Sequence, residues 1–356
     1  MTECRSGGLR TRAVVAASLL AMTIVASACS VILVHQGNGT TTSTTLPATT
    51  STTAKANPST TTTPTTPSRP PGWSEPSDVA AGTEVGAVVC PSTASCLALG
   101  EHGQAYHLAD GTWSSAVATG AAGGATGNPS LSCAGPRFCM AVWRGATDAV
   151  IWNGASWQSP MAIQGAQVLT SVGCASPTFC VTVDGTGTAF YYDGSSWSAT
   201  PNDWGSVSSI SCPSASFCMS VEGGVSMWNG SEWTEPQVYG NSSTLNQVAC
   251  PNHSFCAAVD NTGEALMWNG SKWSNPVNLE SAASSASTPP SLTGVSCPSS
   301  TFCLAVDNAG NAFTWNGLSW SAAAAVDPGH SLTAVSCTTP AFCVATDKQG
   351  HALTRT

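Results

Sequence analysis

The sequence predicts an all-β protein: a seven-bladed β-propeller of four-stranded blades, behind an N-terminal membrane-anchoring helix and a disordered Thr/Ser/Pro linker. Three observations predict it. A cysteine pair with five residues between its members recurs seven times between Cys90 and the C-terminus. The copies start 43, 41, 38, 38, 47 and 40 residues apart, and a period near forty is the mark of a repeat architecture. Each copy also reads as four short strands with turn chemistry between them, which is the pattern of a propeller blade.

Within a copy, a short alternating run precedes the first cysteine, as in Leu332-Thr333-Ala334-Val335-Ser336. A second run starts at the second cysteine, as in Phe255-Cys256-Ala257-Ala258-Val259. It ends in Asp-x-x-Gly at Asp260, Asp307 and Asp347. There the Asp side chain can close the turn and Gly supplies positive φ. A third run, such as Ala265-Leu266-Met267-Trp268, leads into Asn-Gly, the strongest short hairpin signal. That dipeptide starts at Asn153, Asn229, Asn269 and Asn316, with Asp110 and Asp193 in two other copies. The fourth strand starts at Trp113, Trp157, Trp197, Trp233, Trp273 or Trp320.

The two ends of the repeat region complement one another. The last copy stops at Ala352-Leu353-Thr354-Arg355, without a hairpin turn or fourth strand. Before the first copy stands Gly72-Trp73-Ser74-Glu75-Pro76, which matches the fourth-strand segment Trp233-Thr234-Glu235-Pro236. The N-terminal strand is therefore expected to complete the C-terminal blade and leave no unpaired edge. On these residues, 72–356 resembles secreted actinobacterial propellers with paired-cysteine blades. The step from Val306 to Asn311 is similar to the hairpin of NHL-type propellers. The resemblance implies that the turns between second and third strands share one face with the blade-to-blade connections. It assigns no function, because propellers serve as enzymes, lectins and scaffolds.

Upstream, residues 1–12 carry Arg5, Arg10 and Arg12 and read as a basic cytoplasmic N-terminus. Residues 13–35 read as a signal-anchor or signal peptide. The uncharged run Ala13 to Val34 would span about 33 Å as a helix, enough for a bilayer. Ala26-Ser27-Ala28-Cys29 resembles a lipobox, so Cys29 is a candidate lipidation site. All three readings export the repeat region. Residues 36–71 are rich in Thr, Ser and Pro, have almost no apolar content, and read as a disordered stalk or passive linker.

Charge excludes one class of partner. Beyond Gln36 there are 18 acidic and 7 basic residues, a net charge of −11, which argues against nucleic acid and leaves the anchor as the membrane contact. The fourteen paired cysteines read as disulfides in an exported chain: Cys90–Cys96, Cys133–Cys139, Cys174–Cys180, Cys212–Cys218, Cys250–Cys256, Cys297–Cys303 and Cys337–Cys343. Zinc would need tighter spacing, and the six histidines do not cluster in the sequence. No cofactor or metal motif is expected.

Three groups of residues are candidates for a site. The turn carboxylates Asp184, Asp260, Asp307 and Asp347, with Glu101 and Glu222 taken as their counterparts, form a negative ring or cap their own turns. The tryptophan pairs flanking the hairpins bind a ligand or pack between blades. The departures from the repeat are the most specific: Arg144 and Asp148 in the second copy, Tyr191 in the third, and Asp203-Trp204 in the following connection. An Arg beside aromatic rings suits a carboxylate or sugar. No motif for a nucleophile, metalloprotease or phosphate loop is present. The reading is a non-enzymatic, envelope-tethered module for an extracellular glycan or protein. Its alternatives are a hydrolase or lyase using Asp184 or Asp260 in the central funnel, and a purely structural surface protein.

Overall fold

A computed structural model describes residues 69–80, 82–121, 127–200, 207–238, 244–280 and 289–356. The expected anchor, nearly all of the expected stalk, Cys29, Asp203 and Trp204 lie outside the described residues. Among the described residues every regular element is a β-strand, and the strands form seven antiparallel sheets, one per blade. The innermost strands are Val85–Ser92, Pro129–Gly135, Leu169–Ser176, Ser209–Ser214, Leu245–Asn252, Leu292–Ser299 and Leu332–Thr339. Each pairs with the next strand in sequence and steps outward to the hairpin and the short outer strand.

The Thr/Val/Ala-rich inner runs become strands because β-branched and small side chains suit a pleated surface buried on both faces. A one-residue bulge interrupts the inner pairing at Gly86, Thr170, Asn246, Thr293 and Thr333. A bulge bends and twists a strand locally. The polar bulge residues also reuse the backbone groups they disturb. Thr170 donates to the Val183 carbonyl at 3.1 Å, and Asn246 to the Leu292 carbonyl of the next blade at 2.7 Å. Gly86 has a different cause, since a Cβ there would stand 2.7 Å from the ring of Pro129.

The ring closes as the end segments predict. Ser77–Asp78 pairs with His351–Arg355, with Ser77 opposite Ala352 and Asp78 opposite His351. Trp73 bridges Arg355, and the Ser74 N–H donates to the Thr354 carbonyl at 2.8 Å. The seventh blade is thus finished by the N-terminal side of the repeat region. In the fourth blade, bridges at Gln237 and Trp233 take the place of a regular outer strand.

Each cysteine pair is a disulfide, with Cα atoms 3.9 to 4.1 Å apart. Cys174 and Cys180 stand directly opposite in the ladder, as do Cys133–Cys139 and Cys337–Cys343. The loop closed is short, so loop entropy contributes about 2–2.5 kcal/mol per bridge. Seven bridges in one chain imply an oxidising compartment.

Apolar packing lies mostly between blades. One cluster joins Met140, Val142 and Ala149 of the second blade to Leu169, Val172 and Phe190 of the third. Another joins Phe302, Leu304 and Val306 of the sixth to Leu332, Val335 and Leu353 of the seventh. A second system of contacts runs around the inner strands. The serine before the first cysteine of one blade accepts the N–H of the first cysteine of the next. Ser132 takes Cys174, Ser211 takes Cys250, Ser296 takes Cys337 and Ser336 takes Cys90, at 2.9 to 3.0 Å. A parallel row uses Ser130, Ser171, Ser209 and Gln247. Adjacent blades share no main-chain ladder, and these side chains satisfy the backbone donors that would face the axis unpaired.

Candidate functional site

The turn carboxylates cap their own turns. Asp184 Oδ1 accepts from the N–H groups of Thr186 and Thr188 and from the Thr186 hydroxyl, and its Oδ2 accepts from Gln167 N–H. Asp260, Asp307 and Asp347 repeat the pattern, each holding backbone donors two and four residues on. All four are fully buried, and none lines the central channel. Burial pushes the Asp184 carboxyl up, and the bonds from Thr186, Gln167 and Thr188 pull it down further, to a net depression. A depressed, capped carboxylate is a poor general acid. Because none of the four lines the channel, they form no negative ring and no acid–base pair along it.

The register also corrects one equivalence. Val85 pairs with Gly100 as Leu245 pairs with Asp260, so Gly100 holds the Asp position in the first blade, not Glu101. In the second blade Trp143 holds it, paired with Pro129. The Trp143 indole is fully buried and donates to the Gly100 carbonyl at 2.9 Å. Glu222 does follow the second strand of the fourth blade directly, on a turn two residues shorter than that of the fifth.

The tryptophan pairs pack. Ring centroids are 5.7 Å apart for Trp152 and Trp157, 5.8 Å for Trp228 and Trp233, and 5.9 Å for Trp268 and Trp273. The inner indoles donate to their own cysteine loops: Trp228 to Ala215, Trp268 to His253 and Trp315 to Ser300. Tyr191 belongs to this system and not to a rim. Its hydroxyl accepts the Trp233 indole N–H of the next blade at 2.6 Å, and its ring lies 5.1 Å from that of Trp228. Burial raises its phenol above the ordinary range, with the bond from Trp233 pulling it partly back.

What faces a ligand-sized space is the channel along the ring axis, with a volume of 660 Å³. Its wall is the set of inner strands, and its polar lining includes Ser130, Ser171, Ser209, Gln247 and Thr333. One end is flanked by the half-cystines Cys133, Cys174, Cys212, Cys250 and Cys297. The other end, where the inner strands begin, carries Glu84, Asn128, Arg144 and Lys348. Arg144 and Lys348 come from turns between second and third strands. Their N–H groups are tied to the preceding connections, Arg144 to Asn128 at 3.3 Å and Lys348 to Ser331 at 3.0 Å. Arg144 is solvent-exposed, and Asp148 begins the strand beyond the same turn, buried.

The electrostatics of this mouth oppose those of the chain. Among the described residues, the charged groups lining the channel are Arg144, Lys348 and Glu84, in a protein of net charge −9. Glu84 is pushed up by burial, pulled back by Lys348 and raised again by Glu101. The mouth is thus a weakly cationic spot on an acidic molecule.

A second feature was not visible in the sequence. At two neighbouring blade junctions a buried acid from the connection meets the capped Asp of the next turn. Glu280 is 1% exposed, and both of its carboxyl oxygens lack hydrogen-bond donors. Its pKa is pushed up to about 8 by burial and by Asp307. Asp327, 2% exposed, stands in the same way against Asp347, with His330 beside it. Burial raises the Asp327 carboxyl; the His330 imidazole lowers it and Asp347 raises it again. The only signal available beforehand was that both acids follow the fourth strand of their blades.

No protein-family model matches the chain, and no curated protein does. Solved structures do match. The structure described as YCF48 bound to D1 peptide is 14% identical, covers 80% of this chain and 94% of its own, and has a TM-score of 0.62. YCF48 from Cyanidioschyzon merolae is 14% identical over 80% of this chain and 98% of its own, with a TM-score of 0.60. The WD40 repeats of RRP9 are 9% identical over 79% of this chain and 99% of the other, with a TM-score of 0.65. The chain shares the propeller fold of these structures. At these identities the likeness is one of fold.

Proposed function

We propose that this propeller is a non-enzymatic binding module whose channel mouth takes an anionic, extended protein segment. The observation that carries the reading is the charge at the mouth. Arg144 and Lys348 line the axial channel, and Glu84 is the only acid there among the described residues. A guanidinium that keeps its charge and offers paired donors suits a carboxylate. Serine, threonine and amide groups along the wall offer adaptable partners to a peptide backbone. That a structurally similar propeller is described as bound to a peptide supports a protein ligand over a glycan. Asp148 stands beyond the Arg144 turn, and Tyr191 packs between the third and fourth blades; Asp203-Trp204, outside the described residues, are proposed as further ligand contacts. The disulfides and the N-terminal sequence support a protein held on the extracellular side of the envelope, tethered by residues 13–35 or by Cys29 and spaced by residues 36–71.

The test is a peptide and glycan array probed with the full chain. Saturable binding to acidic peptides is expected, weakening with salt. It should fall at least about tenfold in Arg144→Ala, the loss of roughly one charge-assisted hydrogen bond. Saturable binding to glycans alone would replace the ligand class. Binding to neither would leave a structural role, and turnover of a polysaccharide or ester library would make the protein an enzyme.

A further inference from the structure

We propose that the junction between the sixth and seventh blades is a binding site for a divalent transition-metal ion, Zn2+ by its donor set. Asp327, His330 and Asp347 each offer a ligand atom, and these atoms lie within 4.8 Å of one another. The cluster is assembled from two elements. Asp327 and His330 come from the connection between the blades, where the His330 N–H closes a turn on the Asp327 carbonyl at 3.1 Å. Asp347 comes from the next blade's turn, held by the N–H groups of Gln349 and His351.

An independent observation points to a ligand. Asp327 Oδ2 accepts no hydrogen bond, although its side chain is 2% exposed. A buried carboxylate oxygen left bare is costly, and a second buried carboxylate, Asp347, stands beside the same group. The other polar neighbours leave it uncompensated. His330 Nδ1 reaches Oδ1 at 3.1 Å, and Arg69 Nη2 approaches Oδ1 only to 3.9 Å. Arg69 is itself committed to Glu75 at 3.0 Å and to the carbonyls of Val326 and Ser74. His351 Nδ1 reaches Asp347 Oδ2 at 2.8 Å, the outer contact that orients a ligating carboxylate. Its Nε2 lies 3.5 Å from Asp78.

The repeat supplies an internal control. At the preceding junction the equivalent acids, Glu280 and Asp307, meet with no imidazole: Asn311 stands where His351 does. At the last junction two histidines and two carboxylates converge, and the exposed His330 ring gives an ion a path from solvent. One imidazole with two carboxylates suits Zn2+ or its first-row neighbours, and not the all-oxygen shell that Ca2+ prefers. Bond lengths near 2.0–2.2 Å require the ligand atoms to close in, which the exposed His330 can do by rotating.

The experiment is equilibrium dialysis of the full chain against Zn2+ after chelator treatment, with any free thiols alkylated. A single ion is expected, held at least about tenfold more weakly by His330→Ala and by Asp327→Asn, and unchanged in Glu280→Gln. Because His330 is exposed, H330A should retain the fold, which near-ultraviolet circular dichroism would check. Zn2+ binding by H330A equal to that of the wild type would overturn the site, whatever D327N does. So would an equal loss in E280Q. The array result with Arg144→Ala is separate, so either proposal can fail alone.

Discussion

The junction between the first and second blades and the junction between the fifth and sixth meet the same packing problem with opposite chemistry. Both must fill the space where a second strand ends beside the next blade. At the fifth–sixth junction Asp307 caps its turn, and Glu280 is pressed against it without donors. At the first–second junction an indole fills that register position and donates to Gly100, and no carboxylate occupies it. The difference shows that the repeated Asp is a structural device that other chemistry can replace. Where Trp143 replaces it, the next residue, Arg144, lines the channel.

The largest expected effect tests the indole solution. Trp143→Ala should cost about 3–5 kcal/mol, as for other fully buried aromatic truncations, in reversible denaturant unfolding with the disulfides intact. A cost under about 1 kcal/mol would show that the indole does not carry the junction.

Next comes the carboxylate solution. Asp184→Ala strands four donors and relieves no like charge, so a loss of about 2–3 kcal/mol is expected. Asp307→Ala should cost less, because it also relieves Glu280. Equal losses would mean that the two acids do not repel one another.

The pH dependence sharpens the comparison further. An isolated Glu titrates near 4.5, whereas Glu280 in the fold is pushed up to about 8. Between these values the unfolded chain releases a proton that the folded chain keeps. The contribution of Glu280 is therefore fully present below about pH 4.5 and is lost as pH rises to about 8. Glu280→Gln should remove that slope and be more stable than the wild type at pH 8. An unchanged slope in thermal melts from pH 4.5 to pH 8 would refute the buried pair.

The smallest effect concerns the serine ring. Ser132→Ala should cost about 1 kcal/mol, the value of one hydrogen bond whose donor is left facing the axis. At the third blade the corresponding residue is Gly173, where a Cβ would stand 2.9 Å from Ile210. Gly173→Ser should therefore destabilise and not add a stitch. A gain in melting temperature would show that the ring tolerates a fifth serine there.

The local content of the fold was legible in residues a few positions apart. Asn229 marked its hairpin by the amide that now holds Ser231 and Glu232. Asp260 marked its turn, each cysteine found the partner six residues on, and Trp73 announced the strand that closes the ring. Candidate residues fared according to how far their partners lie. Arg144 stood out as a break in the repeat and does line the channel. Tyr191 stood out equally, yet its partner Trp233 is 42 residues away in the next blade.

By itself, then, the sequence determined the strands, the turns, the disulfides and the number of blades, because each follows from contacts made within one forty-residue copy. Only the tertiary structure decided which side chains meet across a blade junction or around the axis. Glu280 meets Asp307, Asp327 meets Asp347, and Ser132 meets Cys174 through the angle at which one sheet packs on the next. That angle is fixed by the closure of the whole ring and by core volumes summed over neighbouring blades. No run of residues within a copy contains it.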